Sequence, residues 1–395
     1  MRFDRQDAKT QRGFFLGVFT SLRSFTLAAL LICSAGESLA EWSTYHGDSG
    51  LQGVSNVDVS STAKRLWRFN ASGAVYNTPV SDGERVFFSA QKGHLFAVDL
   101  KGSTVWKKIF MRTNDAGANV PIRFEAPLAV FGNTVFAGTT RGTLIALDAK
   151  TSEELWRYET DGFILGSPNF ILREKGAAVV VLDQSEGALH AVDVSTGKRL
   201  WKTEGVERCD GAPGIGGGRI VFGSCLAALH VYSIDGVHLK DIEIGGDSQV
   251  AGGVAVDGKF AFAGVRDGSL LCADLEQGDI VWFSHESEEQ TFSTPAVTSN
   301  RVVYSSDNGW VYAVDYEDGS LIWKHETGGL PTSPVIAKDK VVVSADGVLY
   351  LLDRKDGHRV WSTEVSDEIS SPALVGKQIV VGADDGAVSA FGEVR

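Results

Sequence analysis

Short apolar segments alternate with small clusters of turn residues along most of the chain. The alternation is clearest between residues 293 and 323, where Ser299-Asn300, Asp307-Asn308-Gly309 and Asp318-Gly319 separate the apolar segments. Short apolar segments that are bounded by Asn, Asp and Gly are typical of β-strands joined by tight turns. The pattern therefore predicts a unit of four short antiparallel strands.

The same unit recurs along the chain at intervals of about forty residues. A proline marks the start of its first strand, and a tryptophan lies in its fourth strand. The prolines are Pro79, Pro127, Pro168, Pro213, Pro295, Pro334 and Pro372, with Gly253 in the corresponding place of one copy. The tryptophans are Trp67, Trp106, Trp156, Trp201, Trp282, Trp323 and Trp361, with Lys240 in the remaining place. Such a unit must bury its faces against neighbouring units. The sequence therefore predicts an all-β fold, an eight-bladed β-propeller of four-stranded antiparallel blades.

The two ends of the chain predict how the ring of blades closes. After Pro372 the strand pattern continues near residues 378–382 and 387–391, but no fourth strand follows. Near the other end, Arg65–Phe69 has the pattern of a fourth strand without a blade before it. We expect this N-terminal strand to complete the last blade, because one pairing then covers two sheet edges. Trp42 lies outside the repeat and is expected to pack the N-terminal segment onto the ring.

The first forty residues have the pattern of an export signal. Arg and Lys residues precede the apolar stretch Phe25–Ile32, and small and polar residues follow it as far as Ala40. We predict a signal peptide at residues 1–40, cleaved after Ala40, and a propeller domain at residues 41–395 that is periplasmic or secreted. A lipid anchor on Cys33 is the alternative, but it requires a small residue at the position that Ile32 occupies.

Charge and hydropathy restrict the partners of the exported domain. The formal net charge of −13 disfavours nucleic acid and anionic membrane surfaces, because both require a basic face. No later segment approaches the length of about 18 apolar residues that a membrane span needs. We therefore expect a monomer without a transmembrane segment.

The segment Ala191–Trp201 resembles the tryptophan-docking repeat of pyrroloquinoline-quinone-like β-propellers, the repeat of the quinoprotein dehydrogenases. Similar segments end at other tryptophans of the repeat: 146–156, 272–282, 313–323, 351–361 and, one residue shorter, 97–106. The resemblance implies that these tryptophans pack between blades and do not contact a ligand.

This family contains enzymes and non-enzymes, and the sequence favours the second group. The enzymes carry an adjacent cysteine pair over the quinone and Glu, Asn and Asp ligands for a divalent cation. Here no two cysteines are adjacent, and no C-x-x-C-H haem-attachment sequence is present. The chain is similar in architecture to the non-catalytic propeller subunit of the bacterial outer-membrane protein assembly machinery, and that resemblance implies a scaffold or binding module in the cell envelope.

We therefore expect no catalytic, cofactor-binding or metal-binding residues and no cofactor. Two alternatives remain: a dehydrogenase that uses pyrroloquinoline quinone with calcium, and a sensor of a small molecule or carbohydrate at the channel mouth. The histidines show no metal-ligand spacing, and His94 and His190 take equivalent places in the repeat, so repetition accounts for them. The expected partner is another envelope protein.

The candidate binding residues lie where the chain departs from the repeat. The longest departure is Phe110–Phe124, interpreted as a loop on the rim of one face. Its charged and amide side chains are Arg112, Asn114, Asp115, Asn119 and Arg123. Asn77, Glu125 and Asp210 precede first strands and are expected to face the channel mouth, either as a cation site or as a solvated polar rim.

Two of the cysteines suggest a disulfide. Cys209 and Cys225 flank Gly216-Gly217-Gly218, and a hairpin centred on Gly217 places them opposite each other. We predict a cross-strand disulfide between them, which agrees with an oxidising compartment. Cys272 stands where other copies have alanine and is interpreted as a buried thiol.

Overall fold

The computed structural model describes residues 42–246 and 248–394, so the predicted signal peptide lies outside the described residues. The described residues form eight sheets with four antiparallel strands each, arranged as repeated blades, together with three short additional strands. The all-β, eight-bladed propeller predicted from the repeat is therefore confirmed. Among these residues, no helix is long and apolar enough to cross a membrane.

The first four blades follow one another along the chain. Blade 1 consists of Val80–Ser81, Arg85–Ala90, His94–Asp99 and Thr104–Ile109. Blade 2 consists of Ala129–Phe131, Thr134–Gly138, Thr143–Asp148 and Glu154–Glu159. Blade 3 consists of Asn169–Leu172, Ala177–Asp183, Ala188–Asp193 and Arg199–Lys202. Blade 4 consists of Gly214–Gly216, Arg219–Gly223, Ala228–Ser233 and His238–Glu243.

The remaining blades continue the series and end with the ring closure. Blade 5 consists of Ala255–Asp257, Phe260–Gly264, Leu270–Asp274 and Asp279–Ser284. Blade 6 consists of Ala296–Thr298, Arg301–Ser306, Trp310–Asp315 and Leu321–Glu326. Blade 7 consists of Val335–Ala337, Lys340–Ala345, Val348–Asp353 and Arg359–Glu364. Blade 8 consists of Ala373–Val375, Gln378–Gly382, Ala387–Gly392 and the N-terminal strand Lys64–Asn70.

The N-terminal strand closes the ring as the sequence predicts. Lys64–Asn70 pairs antiparallel with Ala387–Gly392, and Arg68 lies opposite Ser389. Both edges that an open blade would expose are thereby paired, which removes a template for association with other chains.

The repeated tryptophans join each blade to the next. The Trp156 indole N–H donates to the Val194 carbonyl at 3.0 Å, and its ring lies on Gly197 in the turn before the fourth strand of blade 3. A Cβ at Gly197 would lie 2.7 Å from that ring, and its φ of +68° also favours glycine. Equivalent N–H bonds join Trp67 to Leu100, Trp106 to Ala149, Trp282 to Tyr316 and Trp323 to Arg354.

Residues 42–55 run round the inside of the ring, and we call this segment the inner belt. Its carbonyl oxygens accept hydrogen bonds from the innermost strands of successive blades. The backbone pairs are Ser81 N to Trp42 O, Val130 N to Ser43 O, Ile215 N to Ser49 O, Val256 N to Gly50 O, Val297 N to Gln52 O and Ile336 N to Gly53 O, at 2.6 to 2.8 Å. In blade 3 the donor is the Asn169 amide, 2.8 Å from the Ser49 oxygen. The inner belt therefore ties together all blades from 1 to 7.

The inner belt also crosses the channel. The Thr44 hydroxyl donates to the Pro168 carbonyl of blade 3 at 2.7 Å, whereas the Tyr45 hydroxyl donates to Ser333 at the start of blade 7 at 2.7 Å. The next side chain, His46, is buried and lies 2.9 Å from the Pro334 carbonyl. Because these contacts reach distant blades, the belt closes the interior of the channel. Trp42 is fully buried and packs the segment onto the ring as expected.

Candidate functional site

One face of the ring is formed by two kinds of connection in every blade: the loops that lead into the first strands and the turns between the second and third strands. We call it the mouth face. A hydrogen bond from the turn to the loop recurs in each blade, as in Gln184 N to Phe163 O at 2.8 Å and Asp346 N to Leu330 O at 3.1 Å. This repeated bond fixes the loops of the mouth face relative to the blades.

A cleft of about 260 Å³ lies at the centre of the mouth face. Its walls come from loops of seven blades, among them the segments at Asn77, Ser167, Asp210 and Phe292. Tyr45 of the inner belt also lines the cleft, and burial raises the pKa of its hydroxyl. The mouth is therefore a shallow depression above the belt and does not lead through the ring.

The predicted rim residues Asn77, Glu125 and Asp210 are each engaged by protein partners. The Asn77 amide donates to Ser89 Oγ at 3.0 Å and to the Phe124 and Ala126 carbonyls at 3.1 and 3.2 Å. Glu125 forms an ion pair with Arg123, and Asp210 forms one with Arg208 at 3.1 Å. The structure thus gives each of these three rim residues at least one protein partner.

The segment Phe110–Phe124 is not an irregular loop, as the sequence had suggested, but a β-hairpin. Met111–Thr113 pairs antiparallel with Asn119–Pro121. Asn114 forms the turn, since its side-chain oxygen accepts from the Ala116 and Ala118 backbone N–H groups at 3.1 and 2.8 Å. Phe110 and Phe124 are buried at its base with their rings in edge contact, 5.6 Å apart.

The base of this hairpin forms a second cleft on the mouth face, about 510 Å³ in volume. The cleft brings Asn77, Arg123 and Glu125 together with the half-exposed ring of Tyr76. Arg112, Asn114 and Asp115 lie farther out along the hairpin and do not line the cleft. The structure therefore separates the predicted rim residues into those that line this cleft, those on the outer hairpin, and Asp210, which lines the central cleft.

Large apolar side chains are exposed around the mouth face, and the sequence analysis missed them. Their exposed fractions lie between 38% and 59%. Four lie in loops that lead into first strands and one in a turn between the second and third strands: Tyr76, Phe163, Phe292, Leu330 and Leu226. A contiguous patch of exposed apolar side chains with a polar rim is typical of a surface that binds other proteins. These positions fall in loops and turns outside the repeated strands, so neither the strand pattern nor the charged residues indicated them.

The predicted disulfide is absent from the structure, in which Cys209, Cys225 and Cys272 are all free thiols. The hairpin turn is centred between Gly217 and Gly218, because Gly216 pairs with Arg219. The first strand of blade 4 begins only at Gly214, so Cys209 lies outside the paired strands. Its Sγ contacts the Glu207 carbonyl at 3.1 Å. The assumption of equal distance from the turn was therefore wrong.

Comparisons with known proteins agree with this architecture. The family model described as outer membrane protein assembly factor BamB matches residues 54–162, 97–235 and 237–391. The chain is 25% identical over 308 residues to the outer membrane protein assembly factor BamB of Burkholderia pseudomallei, covering 73% of this chain and 76% of that protein. The structure of BamB from Moraxella catarrhalis superposes with a TM-score of 0.67 at 18% identity, covering 84% of this chain and 98% of the other.

A shorter match reaches the enzymes that share the repeat. A polyvinylalcohol dehydrogenase from a Pseudomonas species is 29% identical over 171 residues, which cover 38% of this chain and 26% of the enzyme. That match is confined to part of the propeller, whereas the family model covers the blades from end to end. The chain therefore belongs to the BamB family of pyrroloquinoline-quinone-like β-propellers.

Proposed function

We propose that this chain is a non-catalytic scaffold of outer-membrane protein assembly, exported to the periplasm, and that its mouth face binds another envelope protein. The observation that carries the proposal is the set of exposed apolar side chains that surrounds a mouth closed by the inner belt. A closed mouth offers a broad surface for a protein and little volume for a small molecule. Membership of the BamB family supports the class of partner.

The two connections of each blade that lie on the opposite face supply a matched control. Leu172 and Val237 are 55% and 60% exposed there, in the same range as Tyr76, Phe292 and Leu330 on the mouth face. The triple variant Tyr76→Asp, Phe292→Asp, Leu330→Asp removes exposed apolar side chains from the mouth face. The double variant Leu172→Asp, Val237→Asp removes comparable side chains from the opposite face and so controls for the loss of exposed apolar surface in general.

The experiment compares both variants in a strain that lacks its own copy of this protein. We expect the mouth-face variant to restore less outer-membrane β-barrel protein than the wild type and to bind its envelope partner at least about tenfold more weakly, because buried apolar anchors dominate such interfaces. The opposite-face variant should restore the wild-type amount. If only the opposite-face variant lost partner binding, with thermal unfolding unchanged in both variants, the binding surface would lie on the opposite face and the proposal would be wrong.

We further propose that the chain uses no quinone cofactor. Tyr45 and His46 occupy the channel interior and bond to blade 7, so an aromatic cofactor there would have to displace both. Titration of the exported protein with pyrroloquinoline quinone and calcium, followed by an alcohol-oxidation assay with an artificial electron acceptor, should show neither stoichiometric binding nor turnover. Turnover would support the dehydrogenase alternative.

A further inference from the structure

Two carboxylates and an imidazole meet on the mouth face of blade 3, and the proposed function uses none of them. Asp161 lies in the loop that leads into the blade, Asp183 ends its second strand, and His190 lies in its third strand. One donor atom from each lies within 4.8 Å of the other two. Oxygen and imidazole donors at this separation are the ligand types of a transition-metal site.

Two of these three side chains are buried, and each has an atom without a partner. Asp183 is 0% exposed and His190 is 1% exposed. One carboxylate oxygen of Asp183 accepts from the Ser185 backbone N–H at 2.8 Å, but the other oxygen has no hydrogen-bond partner among the described residues. The same holds for His190 Nε2. Buried polar atoms are rarely left in this state, because they have lost their water without replacement.

A hydrogen bond to one ring nitrogen of His190 holds the imidazole and leaves the other nitrogen without a partner among the described residues. His190 Nδ1 lies 2.8 Å from the Tyr158 hydroxyl, which also interacts with the Arg199 side chain. When Nδ1–H donates to the tyrosine oxygen, Nε2 keeps its lone pair, which is the usual arrangement of a metal-binding histidine.

The surrounding charges leave the cluster attractive to a cation. The Lys202 ammonium lies 2.5 Å from Asp161 and 3.5 Å from Glu186. Arg199, which interacts with the Tyr158 hydroxyl, is a second positive charge close to the cluster, and Asp161, Asp183 and Glu186 are the carboxylates around it. The Lys202 side chain is only partly buried, so it is free to leave Asp161 for solvent.

The loop at Asp161 is built against the buried carboxylate. A Cβ at Gly162 would lie 2.2 Å from the Asp183 carboxylate and 2.3 Å from Ser185 Oγ, so only glycine allows this approach. Asp161 itself is mostly exposed. Of the three side chains it therefore has the most freedom to adjust toward the spacing that bonds of about 2.1 Å to one ion require.

We propose that Asp161, Asp183 and His190 bind a divalent transition-metal ion of the zinc class on the mouth face of blade 3. The mixed nitrogen and oxygen donors suit Zn²⁺, whereas Ca²⁺ and Mg²⁺ require six or more oxygen ligands. Three protein ligands leave a fourth position for water on the exposed side of Asp161. In this proposal the metal ion replaces the Lys202 ammonium beside Asp161. The site is independent of the proposed partner-binding function.

The test is calorimetric titration of the exported, chelator-treated protein with Zn²⁺, and in parallel with Ca²⁺ and Mg²⁺. We expect one Zn²⁺ per chain, and His190→Gln and Asp183→Asn should each weaken binding by about tenfold or more. His230→Gln, in the equivalent strand of blade 4, is the matched control and should bind like the wild type. Lys202→Met should bind Zn²⁺ more tightly, because it removes the competing ammonium.

The outcomes separate this site from an ordinary polar cluster. If the wild type binds no Zn²⁺, the proposal fails. It also fails if Zn²⁺ binding survives His190→Gln but is lost with His358→Gln, because the exposed group Asp353, Asp356 and His358 then holds the metal. Should His190→Gln unfold, the increase in affinity of Lys202→Met decides the question, and an unchanged affinity there contradicts the proposal.

Discussion

Blades 3 and 4 carry the same triplet in their third strands, Ala188-Leu189-His190 and Ala228-Leu229-His230. Each histidine is 1% exposed. In blade 4 both ring nitrogens have partners, since Nε2 of His230 lies 2.8 Å from Ser224 Oγ and Nδ1 lies 2.8 Å from Asp241. In blade 3 only Nδ1 of His190 has one.

This difference shows what the repeat determines and what it leaves open. The repeat places the imidazole at one position of the third strand and buries it. The residues of the adjoining turn and loop then decide which hydrogen bonds the imidazole forms. In blade 4 Ser224 bonds to Nε2 of His230, whereas in blade 3 Asp161 and Asp183 leave Nε2 of His190 without a partner. In a repeated fold, a candidate site can therefore be found by comparing equivalent positions of different blades and looking for a side chain that lacks the hydrogen-bond partner present in another blade.

The same two blades also differ in how they dock onto the next blade. Trp201 of blade 3 lays its ring on Gly236 of blade 4, where a Cβ would lie 2.7 Å away. Lys240 of blade 4 takes the tryptophan's place, with its aliphatic chain on Gly278 and its ammonium donating to the Glu276 carbonyl at 2.8 Å. Lysine thus reproduces the geometry of the contact with much less apolar area.

The largest expected effect concerns this docking. Trp201→Ala should lower the free energy of unfolding by about 3 kcal/mol, because it removes an aromatic ring packed between two blades. Lys240→Ala should lower it by about 1 kcal/mol or less, since an exposed ammonium bond contributes little. Urea denaturation of both variants measures the difference. Equal losses would show that blade junctions do not depend on the area of the docked side chain.

The next effect is the pH dependence that His190 imposes. Its folded-state pKa of about 4 lies below the unfolded value of about 6.5, so the unfolded chain binds the proton first as the pH falls. The stability from the neutral ring is therefore present above about pH 6.5 and is lost between pH 6.5 and 4, by roughly 2–3 kcal/mol. His190→Gln should reduce this loss in urea denaturation at pH 7 and 5. An unchanged pH dependence in the variant would contradict the assignment to His190.

A smaller effect compares removal of the two histidines in metal-free buffer. His230→Ala leaves Ser224 without its imidazole partner and Asp241 with His238 alone, whereas His190→Ala removes the partner of the Tyr158 hydroxyl. We expect His230→Ala to cost about 1 kcal/mol more unfolding free energy than His190→Ala, the net worth of a hydrogen bond. Since both variants delete the same side chain from a buried position, a greater loss in His190→Ala would mean that its Nε2 has a partner after all.

The smallest effect concerns the thiols of blades 4 and 5. Cys225 is partly exposed and should react with an alkylating reagent in the folded protein. Cys209 and Cys272 are buried, and burial raises the pKa of both thiols, that of Cys272 to about 12, so both should react only after unfolding. Mass spectrometry of the denatured, unreduced protein should count three alkylated cysteines. A single alkylated cysteine would restore the disulfide between Cys209 and Cys225.

The ring of blades and its closure follow from the sequence, because proline, turn residues and tryptophan repeat at fixed offsets that side-chain packing requires. The inner belt does not follow, since its bonds join backbone carbonyls such as those of Ser43 and Gly50 to backbone N–H groups, and such bonds leave no side-chain pattern. The cluster at His190 was hidden for another reason. Asp161 lies in the loop before blade 3 and His190 in the third strand of that blade, and their proximity arises only when the loop at Gly162 packs against Asp183.

The most direct measurement is a crystal structure of the exported protein grown with Zn²⁺, with diffraction data collected on both sides of the zinc absorption edge. We predict an anomalous peak among Asp161 and the free atoms of Asp183 and His190, with Lys202 displaced, and no peak beside His230. A peak beside His230, or a bridging water without anomalous signal at His190, would contradict the account. The account holds that the neighbouring loops and turns make His190, and not the equivalent His230, a metal ligand.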